Sequence, residues 1–339
     1  MQVFVTGATG FIGGRLARAL VAGGHRVRAL VRDPAAAAQL RAAGIETHEG
    51  DVRDRGSVRE AMRGAERLFH VAAWYHIGSD DAAQAHDVNV VGTRNVLEVM
   101  RELGVARGVY TSSIAIYGDT RGRTVDEDSP CNGPFNSVYE ETKSLAHREV
   151  ALPMMAEGLP LRVVLPGVVY GPGDHSPIRD SLVMLLQRKL PVAPRRTTYC
   201  WGHVDDTVDA HLRAMERGRD GECYIVAGSV CELSRVFEIA AARAGVPAPR
   251  LQLDGKTLRT LARASDALQR FLPRLPSAYR GESLRSVAET TSIASSAKAE
   301  RELGWQSRGL DVGLAEWVDH ERSLLTRSGG AATRQGAAD

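Results

Sequence analysis

The sequence predicts an α/β protein: a doubly wound parallel sheet followed by a smaller, mainly helical C-terminal lobe. Two observations lead to this prediction. Short apolar runs alternate with segments of helical spacing as far as about residue 166, which is typical of parallel strands joined by helices. Beyond residue 166 this rhythm stops, and repeated prolines interrupt the chain.

The first strand and helix enclose a glycine-rich turn. Val3–Val5 form an apolar run that predicts a strand buried on both faces. Gly7, Gly10 and Gly13 follow at three-residue spacing, and a helix then runs to Gly23. Such a turn presents backbone N–H groups and a helix N-terminus to a pyrophosphate. The turn predicts a Rossmann-type dinucleotide site, the alternative being a purely structural glycine turn.

The other elements follow in order along the chain. Further strands are predicted at 25–31, 45–49, 67–71, 108–113, 161–165 and 224–227. Helices are predicted at 34–42, 58–63, 84–103, 137–157 and 178–188. Residues 1–166 and about 204–230 then form a nucleotide-binding domain, and about 167–203 and 231–325 form a substrate-binding lobe. The small, polar residues 328–339 predict a disordered tail.

The overall charge and the cysteine spacing bear on partners and location. The 43 basic and 41 acidic residues leave a net charge of +2, which indicates neither a nucleic-acid nor a membrane partner. The 4 cysteines lack metal-binding spacing, so free thiols and no metal site are expected. No apolar run approaches the ~20 residues of a membrane span. Because a strand begins almost at residue 1, no signal peptide is expected, and the sequence predicts a cytoplasmic protein.

Tyr139 and Lys143 are candidates for acid/base chemistry. They stand four residues apart on a predicted helix, so both side chains project from one face. A phenol with an ordinary pKa of ~10 is a weak base, and a neighbouring ammonium group favours its ionised form. The alternative is a surface pair on an amphipathic helix.

Ser112 and Ser113 stand at the C-terminal end of the predicted fifth strand. Open parallel sheets bind their ligands at that edge. The two residues are therefore candidates for substrate binding, the alternative being ordinary turn serines. Their combination with the glycine turn and the Tyr139–Lys143 pair favours an active site.

Taken in order, these motifs and others resemble the extended short-chain dehydrogenase/reductase family of NAD(P)-dependent epimerases and dehydratases. The motifs are Thr6-Gly-Ala-Thr-Gly-Phe-Ile-Gly13, Gly50-Asp-Val52, His70-Val-Ala-Ala73, Asn89-Val-Val-Gly-Thr93, Thr111-Ser-Ser113, Tyr139-x-x-x-Lys143, Tyr170-Gly-Pro172 and His203-Val-Asp-Asp206. They span residues 2–206, and Leu303-Gly-Trp305 resembles the family's usual ending. The resemblance is specific for the family and carries little information on the substrate.

The resemblance implies roles for these residues. Tyr139 is expected to be the general acid/base, Lys143 to hold the nicotinamide ribose and lower the tyrosine pKa, and Ser113 to bind the reacting carbonyl or hydroxyl. Asn89 is expected to support the site. A homodimer that pairs the helices at 84–103 and 137–157 is also implied. The residues expected to contact the cofactor are Gly7, Thr9, Gly10, Phe11, Ile12, Gly13, Arg32, Asp51, Val52, Ala72, Ala73, Tyr139, Lys143 and Pro166.

The end of the second predicted strand bears on the choice of cofactor. NAD-using members of the family commonly have Asp there, whereas this chain has Val31 followed by Arg32. A guanidinium group can bind the 2′-phosphate of NADP through two hydrogen bonds. NADP(H) is therefore the expected cofactor, and NAD(H) is the alternative if Asp33 binds the ribose. The L-V-R-D-P segment itself resembles dihydroflavonol reductases.

Two other positions bear on the substrate. Sugar-nucleotide enzymes of the family usually have Asn and Arg where this chain has Val168 and Tyr199, and both help to hold a diphosphate. Their loss argues against a nucleotide sugar, unless Arg195 and Arg196 compensate. Trp74, Tyr75, Tyr199 and Trp201 are candidates for an aromatic wall around an uncharged small molecule, the alternative being ordinary packing.

Three functions are compatible with these observations. The preferred one is an NADP(H)-dependent oxidoreductase that interconverts a ketone and a secondary alcohol on a small organic substrate. The second is a sugar epimerase or dehydratase that uses its cofactor transiently, and the third is a catalytically idle nucleotide-binding regulator. The intact Ser113, Tyr139 and Lys143 set disfavours the third. Net consumption of NADPH separates the first two, because an epimerase regenerates its cofactor.

Overall fold

The computed structural model describes residues 1–75, 81–131, 133–269 and 279–335. Residues 76–80, 132, 270–278 and 336–339, which include parts of the predicted lobe and tail, lie outside the described residues. The strands are β1 (Gln2–Thr6), β2 (Arg26–Val31), β3 (Glu46–Glu49), β4 (Arg67–His70), β5 (Arg107–Thr111), β6 (Thr124–Val125), β7 (Leu161–Pro166), β8 (Val168–Tyr170), β9 (Val192–Pro194), β10 (Thr198–His203), β11 (Cys223–Val226), β12 (Ser229–Glu232), β13 (Leu251–Leu253) and β14 (Thr291–Ala294).

The helices in the described residues surround these strands. They are α1 (Phe11–Ala22), α2 (Ala38–Ala42), α3 (Arg55–Met62), α4 (Ala82–His86), α5 (Gly92–Glu102), α6 (Val138–Leu145), α7 (Leu152–Ala156), α8 (Pro177–Leu186), α9 (Val204–Arg217), α10 (Leu233–Ala244), α11 (Gly255–Gln269), α12 (Gly281–Ser286), α13 (Ala297–Leu303) and α14 (Leu310–Gln335). π-helical turns at Asp87–Val91 and Ala146–Ala151 join α4 to α5 and α6 to α7. A short 3₁₀ helix spans Ile114–Tyr117.

The main sheet has seven parallel strands in the order β11-β7-β5-β4-β1-β2-β3. This confirms the predicted doubly wound sheet. The chain builds outward from β1 in one direction through β2 and β3, and then returns to begin again at β4. The strand order therefore reverses between β1 and β4, and open sheets bind ligands in the crevice beyond the carboxyl ends at such a point.

Apolar side chains pack on both faces of this sheet. Val3 and Val5 contribute to one apolar core with Leu16 of α1, whereas Phe4 contributes to the core on the opposite face with Val96 of α5. Successive residues of a strand point to opposite faces, so an uninterrupted apolar run buries side chains on both. The short runs in the sequence predicted this arrangement correctly.

A second sheet, which the sequence does not predict, lies beyond the first. Its central strand β10 pairs with β8 and β14 in parallel and with β12 antiparallel, and β14 pairs with β6. These strands are short, with 2 residues in β6 and 6 in β10. They pair with segments distant in sequence, so no local alternation marks them. Helix α9, which follows β10 directly, is also absent from the prediction.

The helices of the lobe enclose a third apolar core that contains Trp201, Phe237 and Trp317. The backbone of α14 is helical as far as Gln335, which differs from the disordered tail predicted from residue 328. All 4 cysteines are free, as expected. Among the described residues, no helix has both the length and the apolar character needed to cross a bilayer. The division into two domains remains a prediction.

Candidate active site

The glycine turn brings two stretches of backbone into direct contact. Gly7 follows β1 with φ of 74°, and a Cβ atom there would lie 2.6 Å from the backbone nitrogen of Ala72. A Cβ atom on Gly13 would overlap the carbonyl oxygen of Gly7. Gly10 is the N-cap of α1 and offers no side chain to its N–H groups. The first turn of α1 therefore keeps its N–H groups for an anionic ligand, so these residues fit a dinucleotide pyrophosphate.

One cavity of about 1060 Å³ extends from this turn into the lobe. It brings together almost all of the site residues predicted from the sequence. Those that line it are Gly7, Thr9, Gly10, Phe11, Ile12, Gly13, Arg32, Asp51, Val52, Ala72, Ala73, Trp74, Tyr75, Ser113, Tyr139, Lys143, Pro166, Val168 and Tyr199.

Trp201 is the exception, and its predicted place in the substrate wall is wrong. It does not line the cavity, and only 1% of its surface is exposed. Its indole N–H donates to the carbonyl oxygen of Cys231 at 3.0 Å, and its ring packs in the third apolar core. Strand alternation does not separate the two residues, because Tyr199 and Trp201 lie two apart on β10 and share a face. Their ring centroids are 6.1 Å apart, and Tyr199 lies between the cavity and the core that buries Trp201.

Ser113 and Tyr139 meet at the middle of the cavity. Ser113 follows β5, and its hydroxyl oxygen accepts a hydrogen bond from the N–H of Ala115 at 3.1 Å. Ser137 caps α6 by accepting from the N–H of Glu140 at 3.2 Å, which places Tyr139 in the first turn of the helix. Burial raises the pKa of Tyr139 to about 12, although a hydrogen bond with Ser113 opposes this rise. Tyr139 is therefore a neutral phenol able to donate a proton.

Lys143 lies one turn further along α6 and is 2% exposed. Its ammonium group donates to the carbonyl oxygen of Thr111 at 2.7 Å and to the hydroxyl of Tyr110 at 3.1 Å. Burial lowers the pKa of Lys143 to about 7. Burial dominates the pKa of Tyr139 in this structure and Lys143 bonds to β5, so the lowering of that pKa by Lys143 stays a prediction.

Asn89 connects the two sides of the site. Its side-chain oxygen accepts from the N–H of Trp74 at 2.8 Å, and its amide donates to the carbonyl oxygen of Trp74 at 3.2 Å and to the Thr142 hydroxyl at 2.9 Å. Trp74 follows β4, and Thr142 precedes Lys143 on α6. Asn89 itself lies in the first π-helical turn, and such turns often occur at functional sites. These bonds support the expectation that Asn89 braces the site.

Three charged residues, Arg32, Asp51 and Arg53, cluster near the ends of β2 and β3. Arg53 donates to both carboxylate oxygens of Asp51, at 3.1 and 2.8 Å. Burial raises the pKa of Asp51, but these bonds and the charges of Arg53 and Arg32 outweigh burial and hold it below its usual value. The sequence analysis missed Arg53, which stands two residues beyond Asp51. Asp33 accepts from the N–H of Ala35 at 2.8 Å and stabilises the turn after β2.

The lobe contributes mainly apolar residues to the cavity, together with Asp174, His175 and several serines. Tyr75 packs edge-on against Tyr139 with ring centroids 4.9 Å apart, and the Tyr199 hydroxyl donates to the carbonyl oxygen of Ser286 at 2.7 Å. Arg195 and Arg196, which could have compensated for lost diphosphate ligands, line a separate surface pocket. In the described part of the chain, no Lys or Arg of the lobe lines the main cavity. Apolar lining is provided by Ile178, Met184, Leu190, Val192, Leu233, Phe237, Leu253, Leu258, Leu284 and Val287.

This geometry defines a nicotinamide-dependent enzyme of the short-chain dehydrogenase/reductase type. The chain belongs to the NAD dependent epimerase/dehydratase family, whose model matches residues 3–227. The family resemblance inferred from the motifs is thereby confirmed, as is the prediction of an NAD(P)-dependent enzyme.

Individual relatives cover nearly the whole chain. Sterol demethylase protein B of Methylococcus capsulatus is 34% identical over 96% of this chain and 100% of its own length. The 4-hydroxy-2-methyl-3-oxo-4-farnesyl-3,4-dihydroquinoline-1-oxide ketoreductase of Stigmatella aurantiaca is 33% identical over 92% of this chain and 95% of its own. The crystal structure of gox2253 has 32% identity and a TM-score of 0.80, covering 95% of this chain and 98% of that one.

Proposed function

We propose that this protein is an NADP(H)-dependent oxidoreductase that interconverts a ketone and a secondary alcohol on an apolar organic substrate. One observation carries the proposal: Ser113, Tyr139 and Lys143 line the same cavity as the residues of the glycine turn and the apolar residues of the lobe. A substrate carbonyl placed there has a proton donor on one side and a cofactor site on the other.

Each of the three side chains has a role in this reaction. Tyr139 donates its phenolic proton to the carbonyl oxygen during reduction and takes it back during oxidation. Ser113 donates a hydrogen bond to the same oxygen and fixes its position. Lys143 holds the nicotinamide ribose. The bound nicotinamide supplies or accepts the hydride. The apolar lining around Tyr139 excludes water from the proton transfer.

The substrate class follows from the charges of the lobe. A nucleotide sugar carries a diphosphate, and the burial of its charge requires cationic or N–H partners. The described lobe residues supply no Lys or Arg to the cavity, and Val168 and Tyr199 replace polar residues of the sugar-nucleotide enzymes. The names of two relatives refer to a sterol and to a farnesyl-substituted quinoline, which supports a bulky apolar substrate here.

The preference for NADP(H) rests on Arg32 and Arg53. Arg32 lines the cavity directly after β2, and the buried Val31 before it offers no carboxylate to repel a 2′-phosphate. Arg53 pairs with the carboxylate of Asp51 and so offsets the negative charge that Asp51 brings to the cavity beside Arg32. Asp33, the alternative ribose ligand, already stabilises its own turn.

The test is to incubate the purified protein with NADPH and a tetracyclic ketosteroid, and to follow both NADPH absorbance and alcohol product. We expect stoichiometric loss of NADPH and ketone. The matched control replaces the steroid by UDP-glucose, for which no NADPH loss and no epimer are expected. Conversion of the nucleotide sugar without net loss of cofactor, together with inert steroid, would contradict the proposal.

A further inference from the structure

Lys143 is the end of a buried chain of hydrogen bonds that runs from β5 past β4 to β1 of the main sheet. Tyr110, which precedes Thr111 on β5, bonds to Lys143 and also to the hydroxyl of Thr93 on α5. Thr93 lies 3.0 Å from Nε2 of His70 at the end of β4, and Nδ1 of His70 lies 2.7 Å from the hydroxyl of Thr6 at the end of β1. Each of these side chains is at most 2% exposed.

The direction of donation along this chain is set at its Lys143 end. The ammonium of Lys143 has no lone pair, so the oxygen of Tyr110 must accept its proton. Tyr110 can then donate to Thr93, and Thr93 to Nε2 of His70. Burial lowers the pKa of His70 to about 3, so the ring is neutral and its remaining N–H can donate to Thr6. Every group then has a partner, as a buried polar network requires.

Tyr110 has a second contact with the lysine. The ammonium nitrogen of Lys143 lies 4.6 Å from the centre of the Tyr110 ring, in the range of a cation–π interaction. The ring of His70 stacks on Tyr110 on parallel strands, with centroids 5.3 Å apart. The tyrosine ring is therefore held in place by β4 as well as by its hydroxyl.

We propose that Tyr110 is a positioning residue of the active site, whose hydroxyl, oriented by Thr93 and His70, holds the ammonium group of Lys143 in place and favours its charged form. This inference rests on the proposed function only in that Lys143 serves the cofactor there. The chain of hydrogen bonds from Thr6 to Tyr110, which neither Tyr139 nor Ser113 contacts, then serves to position Lys143.

The other titratable groups near Lys143 do not stabilise the charge of its ammonium group. Tyr139, on the same helix, is neutral, and burial lowers the pKa of His147 on the following turn to about 4. His70 is also neutral, and the charge of Lys143 itself contributes to the lowering of both histidine pKa values. Both histidines therefore add no charge beside the ammonium, and the hydroxyl of Tyr110 and the carbonyl of Thr111 are its hydrogen-bond acceptors.

The composition of the chain permits a direct test. The lysines are only four, Lys143, Lys189, Lys256 and Lys298, so a protein labelled with ¹³C at the lysine ε-carbon gives few NMR signals. Lys143→Met identifies the signal of Lys143 by its disappearance. The pH titration of that signal measures the pKa of Lys143 without any need for turnover.

We expect Tyr110→Phe to lower the Lys143 pKa by about one unit, because a hydrogen bond to the charged form is lost while the aromatic ring remains. Thr93→Val should lower it by less, and Thr93→Ser, which keeps the hydroxyl, should restore it. Tyr224→Phe is the matched control: Tyr224 is also fully buried on a strand of the main sheet, but its hydroxyl bonds to Arg219 and Glu302.

A merely structural role for Tyr110 predicts a different result. The variants would lose thermal stability, but the Lys143 titration would be the same in all of them, and this outcome would overturn the proposal. If Tyr110→Phe does not fold, the Lys143 titration in Thr93→Val and Thr93→Ser tests the proposal in the same way. Should the NADPH assay fail while Tyr110→Phe still shifts the titration, the proposed function would be wrong and the positioning role would stand.

Discussion

At the scale of the residue, Tyr139→Phe removes one hydroxyl group and leaves a ring of nearly the same volume. We expect kcat for ketone reduction to fall by ~10²–10⁴-fold, because the proton donor is lost. The affinity for NADPH, measured by fluorescence, should change little. Tyr224→Phe should retain activity, because Tyr224 is a buried tyrosine outside the cavity. A decrease in kcat of less than about tenfold in Tyr139→Phe would remove Tyr139 from the mechanism.

Arg32→Ala tests the cofactor preference. Charge-assisted hydrogen bonds contribute about 1.5–3 kcal/mol, so the affinity for NADP should fall by ~10- to 100-fold with little change for NAD. Arg41→Ala is the control, since Arg41 on α2 bonds to the Pro34 carbonyl and does not line the cavity. Calorimetric titration of both cofactors provides the measurement. Tighter binding of NAD than NADP by the unmutated protein would assign the ribose to Asp33.

Single residues show where sequence analysis of this site succeeds and where it ends. Gly7, Tyr139 and Lys143 are recognisable because their spacing is tied to one strand–turn–helix or one helical face. Tyr110 carries no such spacing, since its partner Lys143 is identified only when β5 and α6 come together. Arg53 stands two residues from its partner Asp51, but no motif marks this pair in the sequence. Trp201 could not be separated from Tyr199, because an aromatic residue in a strand packs equally well in a core or a cavity wall.

At the scale of the element, the turn between β1 and α1 gives a prediction about stability. Gly7 and Gly24 both have positive φ, at 74° and 80°. A Cβ atom on Gly7 would lie 2.6 Å from the Ala72 nitrogen, whereas one on Gly24 would meet nothing within 4 Å. Gly24→Ala should therefore cost only the backbone strain, about 1 kcal/mol.

Gly7→Ala should cost the same strain plus about 1–3 kcal/mol for the overlap with the backbone after β4. It should also weaken dinucleotide binding, because the turn must widen. Urea denaturation of both variants measures the difference in free energy of unfolding. Equal losses in the two variants would mean that the close approach of Gly7 and Ala72 has no energetic weight.

Whether an element could be predicted depends on whether local sequence or tertiary pairing determines it. Strands β1, β2, β4, β5 and β7 are segments of five, six, four, five and six residues that contain consecutive apolar side chains. β1, β2 and β4 are each followed by a helix, so local pattern is sufficient there. β6 and β14 pair across half of the chain and span only 2 and 4 residues. Their stability comes from tertiary pairing rather than local sequence. The π-helical turns likewise lie within continuous helical patterns that give no sign of the extra residue.

At the scale of the whole molecule, both parts of the chain contribute to one cavity. Gly10 and Arg32 line its cofactor half, and Phe237 and Leu258 line its apolar half. A cofactor that binds only the folded chain stabilises it by about 2.7 kcal/mol at a hundredfold excess over its Kd. Saturating NADPH should therefore raise the unfolding temperature, and the apolar lobe should follow the main sheet in one transition.

The homodimer remains a prediction, and the structure identifies side chains that can test it. The two helical segments that would pair are α4–α5 and α6–α7, with their π-helical turns. Val91 in the first and Leu152 in the second are 36% and 38% exposed, which is high for large apolar side chains. In a twofold interface every substitution occurs twice, so a charge placed there has a doubled effect.

We therefore expect sedimentation equilibrium to give a dimer at micromolar concentration and Leu152→Glu to give a monomer. Val312→Glu on α14 is the matched control, since Val312 is 64% exposed and lies on neither of the pairing segments. It should leave the dimer intact. A monomeric unmutated protein would contradict the prediction, and a dimer that survives Leu152→Glu but not Val312→Glu would move the interface to α14.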